Sequence, residues 1–505
     1  MTIEEKTLFL PLEQLIAELN EKRFSSEELT KAYIERTKRL EPEIKAFLSF
    51  DEEKTLNEAR ASDERRSQGR LLSEYDGIPI GLKDIFSEKG QPLTCASKML
   101  ERYVSPYDAT VVERLKAAGM VLFGRLNMDE FAMGSSSENS AFQMTRNPWN
   151  TKCIPGGSSS GSAAAVAAGE LPLALGTDTG GSVRQPAALC GVVGIKPTYG
   201  RISRYGIAAF ASSLDQAGVF ARTVSGAAAI LKLLCGADPK DATSARKEVP
   251  DFCREIQNNR GKKWTLGVPE EYFGDGLDSE VKEAVLAAVD FYKQQGYAIK
   301  PIQLKTLEYG IPAYYIIAPA EASSNLARYD GVRYTYRSPN AKTTEEMFSL
   351  SRSEGFGSEV KRRILLGLYV LSSGEYDAYY YDKAQKVRRL IYNDFAEAFK
   401  SVDAIMTPTS PTPATKIGAK STPLSVYLGD VYTVSVNLAG LPSISIPCGF
   451  TQSNLPIGLQ LIGKPFDEST LLSISEAFEA GHEYWGRKPR TGELKRAIKK
   501  DSCEN

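Results

Sequence analysis

Histidine is almost absent from this chain: of 505 residues only His482 is one, and it stands near the C-terminus. Such a sequence has no His-based metal centre and at most one imidazole to act as a general base. The seven cysteines, at 95, 153, 190, 235, 253, 448 and 503, are odd in number and include no C-x-x-C pair. That pattern argues against a disulfide framework and a Cys-ligated zinc, and for a reducing compartment. Long hydrophobic runs are missing as well. The longest, 163–175, is broken by Gly169, Glu170 and Pro172 and is too short to span a bilayer. The start, Met1-Thr2-Ile3-Glu4-Glu5-Lys6, has no apolar core of a secretory signal, so a cytoplasmic location is expected. Neither sign of charge is in excess: the net charge is −1. No general attraction to nucleic acid follows, and any RNA contact has to be local or supplied by a partner. Lys495, Arg496, Lys499 and Lys500 read as a solvated tail.

What is present is an ordinary globular composition, 42% hydrophobic and 25% charged. Leu12, Leu15, Ile16 and Leu19 mark a first helix, Ser25-Ser26-Glu27-Glu28 opens a second that Glu41-Pro42 is expected to end, and 51–68 forms a third. These make an N-terminal helical layer over 1–70. From Asp76 short apolar strands alternate with helices, with strands expected at 77–84, 120–123, 171–175, 192–195, 264–268, 297–304, 404–406, 443–447 and 457–462. Residues 311–400 read as mostly helical, with a turn at Ser351-Arg352-Ser353-Glu354-Gly355-Phe356-Gly357. No repeat or linker divides the chain. The expected architecture is α/β, a large mixed sheet covered by helices, in one unit over 71–486 followed by a charged tail at 487–505.

The chain is organised around 155–191. Two glycine-framed serine turns, Gly156-Gly157-Ser158-Ser159-Ser160-Gly161 and Thr177-Asp178-Thr179-Gly180-Gly181-Ser182, flank an Ala-rich helix and an apolar strand. Both turns can therefore reach one end of a sheet. Ser182 is a candidate nucleophile, and the amides of Thr179, Gly180 and Gly181, with its own, are candidate oxyanion donors. The base is harder to find. Gly157-Ser158-Ser159-Ser160-Gly161 satisfies G-x-S-x-G and offers Ser159 with His482, but no buried strand leads directly into it, as a nucleophile elbow requires. The alternative is Lys83, at the end of an apolar strand. Burial disfavours a lysine's charge, and a neutral amine can draw a proton from Ser182 through Ser158. Taken singly, Lys83 beside Asp84 also reads as a surface ion pair.

The blocks GIPIGLKD at 77–84, PGGSSSGSAAAVAAG at 155–169 and GTDTGGSVRQPA at 176–187 together resemble the amidase signature family. The resemblance implies a mixed α/β/α fold and a Ser-cisSer-Lys triad falling on Ser182, Ser158 and Lys83. Ser160 departs from the glycine that many members carry. Five further segments, which begin at Arg328, Ser351, Glu359, Leu371 and Asp430, are similar to the glutamine-hydrolysing A subunits of tRNA-dependent amidotransferases, a branch of that family, and the likeness runs to about Gly486. It implies that glutamine is the substrate, that Asp430 takes its α-ammonium, that Arg363 takes its α-carboxylate, with the neighbouring Arg362 as the alternative, and that Tyr314 positions it. It further implies a heterotrimer with B and C subunits. The B partner binds the tRNA and, with ATP and Mg2+, amidates Glu-tRNA(Gln), or Asp-tRNA(Asn), using the ammonia released here; no cofactor is expected in this chain. The polar turn at Gly134-Ser135-Ser136-Ser137-Glu138-Asn139 is a candidate pocket wall. A stand-alone amidase with the same triad, and a non-catalytic scaffold, are the competing expectations.

Overall fold

The computed structural model describes residues 3–372, 380–419, 424 and 427–489. Most of the segment beginning at Leu371, and the basic tail residues, lie outside these. Among the described residues eleven strands form one sheet: β1 (Phe47–Ser49), β2 (Pro79–Lys83), β3 (Val121–Leu126), β4 (Leu173–Asp178), β5 (Val193–Lys196), β6 (Gln216–Ala221), β7 (Thr265–Pro269), β8 (Ala298–Ile302), β9 (Ala404–Pro408), β10 (Ser443–Phe450) and β11 (Pro456–Gly463). Their order is β1-β3-β2-β4-β6-β5-β10-β11-β9-β7-β8. β2 runs parallel to β3 and β4, and β7 parallel to β8 and β9, while the other pairs are antiparallel. This is the mixed sheet that the alternating pattern predicts.

The central strands are buried along their whole length because helices flank the sheet, and their sequences are correspondingly continuous apolar runs rather than alternating ones. The Ala-rich helix Ser160–Ala168 packs against β2, β3, β4 and β6, and the helix Arg184–Cys190 against β5, β10 and β11. Every residue of the Ala-rich helix is buried. Alanine and glycine suit that position: a Cβ on Gly161 would collide with the backbone of Ala46 and Asn127. Gly169, with φ at 69°, ends the helix in the left-handed conformation that glycine adopts without strain.

Three local expectations differ from the structure. The second N-terminal helix, Ser26–Ile44, continues through Pro42 and stops at Lys45, because one missing N–H is outweighed by a carboxylate at the end: Glu41 accepts from the amides of Ala46 and Phe47 at 2.6 and 3.2 Å. Ser351–Gly355 is the end of the helix Thr344–Gly355, so the break before the next helix is only Phe356 and Gly357. The sheet also gains β1 from the N-terminal layer and β6 in its centre. β6 reads Gln-Ala-Gly-Val-Phe-Ala, a segment poor in β-branched residues and without alternation, so its strand character comes from its neighbours.

Candidate active site

Lys83 ends β2 and Thr177-Asp178 end β4. The parallel register, Leu82 opposite Leu175, brings both to the same edge of the sheet. Lys83 is fully buried, and its Nζ lies 2.7 Å from Ser158 Oγ, 2.8 Å from Thr177 Oγ1 and 3.0 Å from Ser159 Oγ. Burial pushes its ammonium down to about 7, against the pull of the Asp129, Asp178 and Asp215 carboxylates. The isolated surface reading of Lys83 is thereby excluded. Its neighbour Asp84 turns instead to Arg125, at 3.0 Å.

The first Gly/Ser turn approaches Lys83 through a cis Gly157–Ser158 peptide bond, as the family resemblance implies. Ser158 is fully buried, and its carbonyl accepts from the Asp129 amide at 3.2 Å. The hydroxyl proton of Ser159 is used elsewhere: Ser159 Oγ donates to the Thr177 carbonyl at 3.1 Å and accepts from the Thr177 amide at 3.2 Å, stitching the start of the Ala-rich helix to β4. Ser160 opens that helix, its Oγ donating to the Asn127 carbonyl at 3.4 Å. The Ser159 amide donates to the Ser182 carbonyl at 3.3 Å, which ties the two serine turns together. Ser182 is 8% exposed, so of Lys83, Ser158 and Ser182 it alone retains access from outside.

The second turn is held from below by a pair that the sequence motifs do not single out. Asp178 and Arg184 are both fully buried and 2.9 Å apart. Asp178 also accepts from the amides of Gly181 at 2.8 Å and Val183 at 3.1 Å. Burial alone would raise its pKa, but the Arg184 guanidinium holds the carboxyl well below the usual carboxylate range. Arg184 in turn reaches Gln460 at 2.7 Å and Asn437 at 2.5 Å. The available clue in the sequence is the pair of opposite charges, six positions apart, inside an otherwise uncharged run. One consequence concerns the oxyanion donors. The Gly181 amide is already directed at Asp178, whereas the amides of Thr179 and Gly180 have no partner among the described residues. Thr179 Oγ1 donates to Asp215 at 2.6 Å, and burial pushes Asp215 up to about 6.

Tyr314 and Thr433 reach the second serine turn, and Arg363 and Asp430 lie beside Tyr315 next to them. Tyr314 lies on helix Gly310–Asn325 with its ring against Gly180, where a Cβ would stand 2.6 Å from the phenol oxygen. Thr433, one turn after Asp430, donates through Oγ1 to the Gly180 carbonyl at 2.5 Å. Arg363, on helix Ser358–Leu371, is buried with its guanidinium over the rings of Tyr315, Phe210 and Tyr427 at 5.3, 5.6 and 5.6 Å. Arg362 has a side chain 48% exposed and pairs with the other oxygen of Glu359, so of the two arginines only Arg363 is buried. Asp430 Oδ2 accepts from the Tyr315 hydroxyl at 3.1 Å. The Gly134–Asn139 turn backs the first serine turn: the Ser135 carbonyl accepts from Gln185, and the amides of Ser137 and Asn139 donate to Asp129 at 3.1 and 3.2 Å.

His482 is remote from these groups. It ends the helix Glu468–His482, with Nδ1 3.0 Å from the Phe478 carbonyl and its ring among Phe291, Phe478 and Tyr484. The Ser159–His482 alternative fails on both members. No helix among the described residues is long and apolar enough to cross a membrane, and the six cysteines described are all unpaired.

The family model described as amidase matches residues 28–472, which span both serine turns, Lys83 and the Tyr314, Arg363 and Asp430 group. The chain belongs to the amidase family. Among amidase-family relatives, the A subunit of glutamyl-tRNA(Gln) amidotransferase from Persephonella marina is 55% identical over 462 residues, 91% of this chain and 94% of that protein. The crystal structure of the A subunit of glutamyl-tRNA(Gln) amidotransferase from Thermotoga maritima superposes with a TM-score of 0.80 at 42% identity, covering 97% of this chain and 99% of that one. The native peptide amidase of Stenotrophomonas maltophilia is similar at the same TM-score, 0.80, with 29% identity over 94% of this chain and 97% of that one. The amidase fold is therefore shared across all three, and the identity is higher with the amidotransferase subunits.

Proposed function

We propose that this chain is the glutamine-hydrolysing subunit of a tRNA-dependent amidotransferase, working through an acyl-enzyme on Ser182. The observation that carries the mechanism is the fully buried Lys83 amine in contact with hydroxyls, with its pKa lowered to about 7. Neutral Lys83 takes the proton of Ser158, and Ser158 takes that of Ser182 as its Oγ attacks the side-chain amide carbon of glutamine. The Thr179 and Gly180 amides stabilise the resulting oxyanion, with Gly181 shaping the turn through its bond to Asp178. When the tetrahedral centre collapses, the proton returns along the same hydroxyls to the departing nitrogen, and ammonia leaves. Water then attacks the glutamyl ester, and glutamate is released.

Arg363 grips the α-carboxylate, Asp430 the α-ammonium, and Tyr314 closes the pocket beside Gly180. The similarity to amidotransferase A subunits at 55% and 42% identity supports glutamine as the donor and B and C subunits as partners. In that assembly the B subunit holds the tRNA and, with ATP and Mg2+, amidates Glu-tRNA(Gln) or Asp-tRNA(Asn). A partner also fits the outer face of the Arg363 helix, where Leu365, Leu368 and Tyr369 are 66%, 50% and 64% exposed.

In the assembled complex, Ser182→Ala is expected to abolish glutamine-dependent amidation and to leave ammonia-dependent amidation intact. Full glutamine use by that variant would end the assignment. A stand-alone amidase acting on aliphatic or aryl amides would bury Arg363 and Asp430 against an uncharged acyl group, a costly arrangement. Comparing glutamine with such amides, with and without partners, decides that point.

A further inference from the structure

The two groups assigned to the charged ends of glutamine come from distant parts of the chain, and one string of contacts joins them. Glu359 Oε1 accepts from Arg363 Nε at 2.8 Å and from the Tyr427 hydroxyl at 3.1 Å. The Tyr427 ring stacks on Tyr315, with centroids 3.8 Å apart and planes inclined by 24°. The Tyr315 hydroxyl donates to Asp430 Oδ2 at 3.1 Å. Glu359 and Tyr315 are both buried, each 8% exposed, so these bonds are shielded from competition by water.

We infer that Glu359, Tyr427 and Tyr315 form a brace that sets the distance and orientation between Arg363 and Asp430, and thereby selects an α-amino acid amide over an acid amide that lacks the ammonium group. The inference rests on the glutamine reading above. With Nε held by Glu359, the terminal nitrogens of Arg363 are presented together, which suits a forked grip on a carboxylate. Glu359 also supplies the negative charge that a buried guanidinium needs before substrate arrives. The Tyr315 hydroxyl fixes the plane of the Asp430 carboxylate. The stacked rings are stiff, so the spacing between the positive and negative poles does not drift as it would between two long, solvated side chains. These three residues position others and touch no reacting atom.

The two ends of the brace are separable by substrate. Glutamine carries both an α-ammonium and a carboxylate, while glutaramate (5-amino-5-oxopentanoate) keeps the amide and the carboxylate only. In steady-state hydrolysis by the assembled amidotransferase, Tyr315→Phe is expected to raise KM for glutamine about tenfold with kcat within about twofold, and to leave KM for glutaramate within about twofold. Glu359→Gln is expected to raise KM about tenfold for both substrates, and Tyr427→Phe to do so more weakly. Ammonia-dependent amidation should be unchanged in all three, which shows that each variant is folded and assembled. The brace is overturned if Tyr315→Phe leaves KM for glutamine unchanged, or if it lowers kcat equally for both substrates. Failure of the glutamine reading itself would appear in the unsubstituted enzyme, as no hydrolysis of glutamine; failure of the brace appears only in the variants.

Discussion

Lys83 and Lys196 end two strands of the same sheet, β2 and β5, and they are 0% and 1% exposed. Burial pushes both down to about 7, with Arg184 adding to the effect at Lys196. They differ in what they face. A neutral amine has two N–H donors and one lone pair. Lys196 Nζ donates to the carbonyls of Pro197 and Leu441 at 2.8 and 2.6 Å, which accept both protons and have none to give. Lys83 meets the hydroxyls of Ser158, Ser159 and Thr177. As an ammonium it donates to all three; once neutral it keeps two of those bonds and the third hydroxyl can give its proton to the lone pair. The Ser159 proton is taken by the Thr177 carbonyl, so the offer comes from Ser158 or Thr177. A lowered lysine pKa therefore marks a buried amine, and only a hydroxyl in reach makes it a base.

The comparison breaks most visibly at the amines themselves. Lys83→Ala is expected to lower glutamine hydrolysis by on the order of 10³-fold or more, because the relay then has no terminal acceptor. Lys196→Met should keep kcat/KM within about threefold and instead lose roughly 2 kcal/mol of stability, since two buried carbonyls lose their donor. Denaturant melts and glutaminase assays on both variants read the two effects separately. An inactive but stably folded Lys196→Met enzyme would defeat the distinction.

The titration gives the next test. Above about 7 Lys83 is neutral and its lone pair is available; below it the proton fills that lone pair. The value of kcat/KM for glutamine should therefore fall as pH drops through about 7, by about tenfold per unit on the acid limb. Lys196→Met should retain that limb unchanged. A flat profile between about pH 6 and 8 would separate Lys83 from the proton transfer.

Within the first turn the contrast repeats on a smaller scale. Ser158→Ala interrupts the relay, and a loss of about 10²–10⁴-fold is expected. Ser159→Ala removes a hydroxyl whose proton already goes to the Thr177 carbonyl, and about a tenfold loss through looser packing of the Ala-rich helix on β4 is expected. Equal losses would mean that the two serines share the duty.

Much of this site was legible in the chain because the chemistry left few choices. One histidine in the wrong context and two glycine-framed serine turns direct attention to a lysine at a strand end, and the structure buries Lys83 against the Ser158 hydroxyl while the Ser159 amide ties the first turn to the Ser182 carbonyl. Adjacent helical residues were a different matter. Arg362 and Arg363 look alike in sequence, and only the direction of the helix face decides that Arg363 is buried while Arg362 is half-exposed. Tyr314 and Tyr315 likewise diverge, the first against Gly180 and the second toward Asp430. The β6 strand depends on neighbours that come from elsewhere in the chain and nothing local announces it, while the Asp178–Arg184 support leaves only a pair of opposite charges in an uncharged run.

His482 sharpens the same distinction at its weakest end. Its Nδ1 faces the Phe478 carbonyl at 3.0 Å, an acceptor only, so that nitrogen carries the proton and donates it, as Lys196 does. The ring stacks at 4.1 Å on Phe478 and at 5.2 Å on Tyr484, closing the end of its helix. His482→Ala should change glutamine hydrolysis by less than about twofold and cost about 1 kcal/mol of stability from the lost stacking. A hundredfold loss of activity with the fold intact would return the imidazole to the mechanism and remove the reason for assigning the base to Lys83.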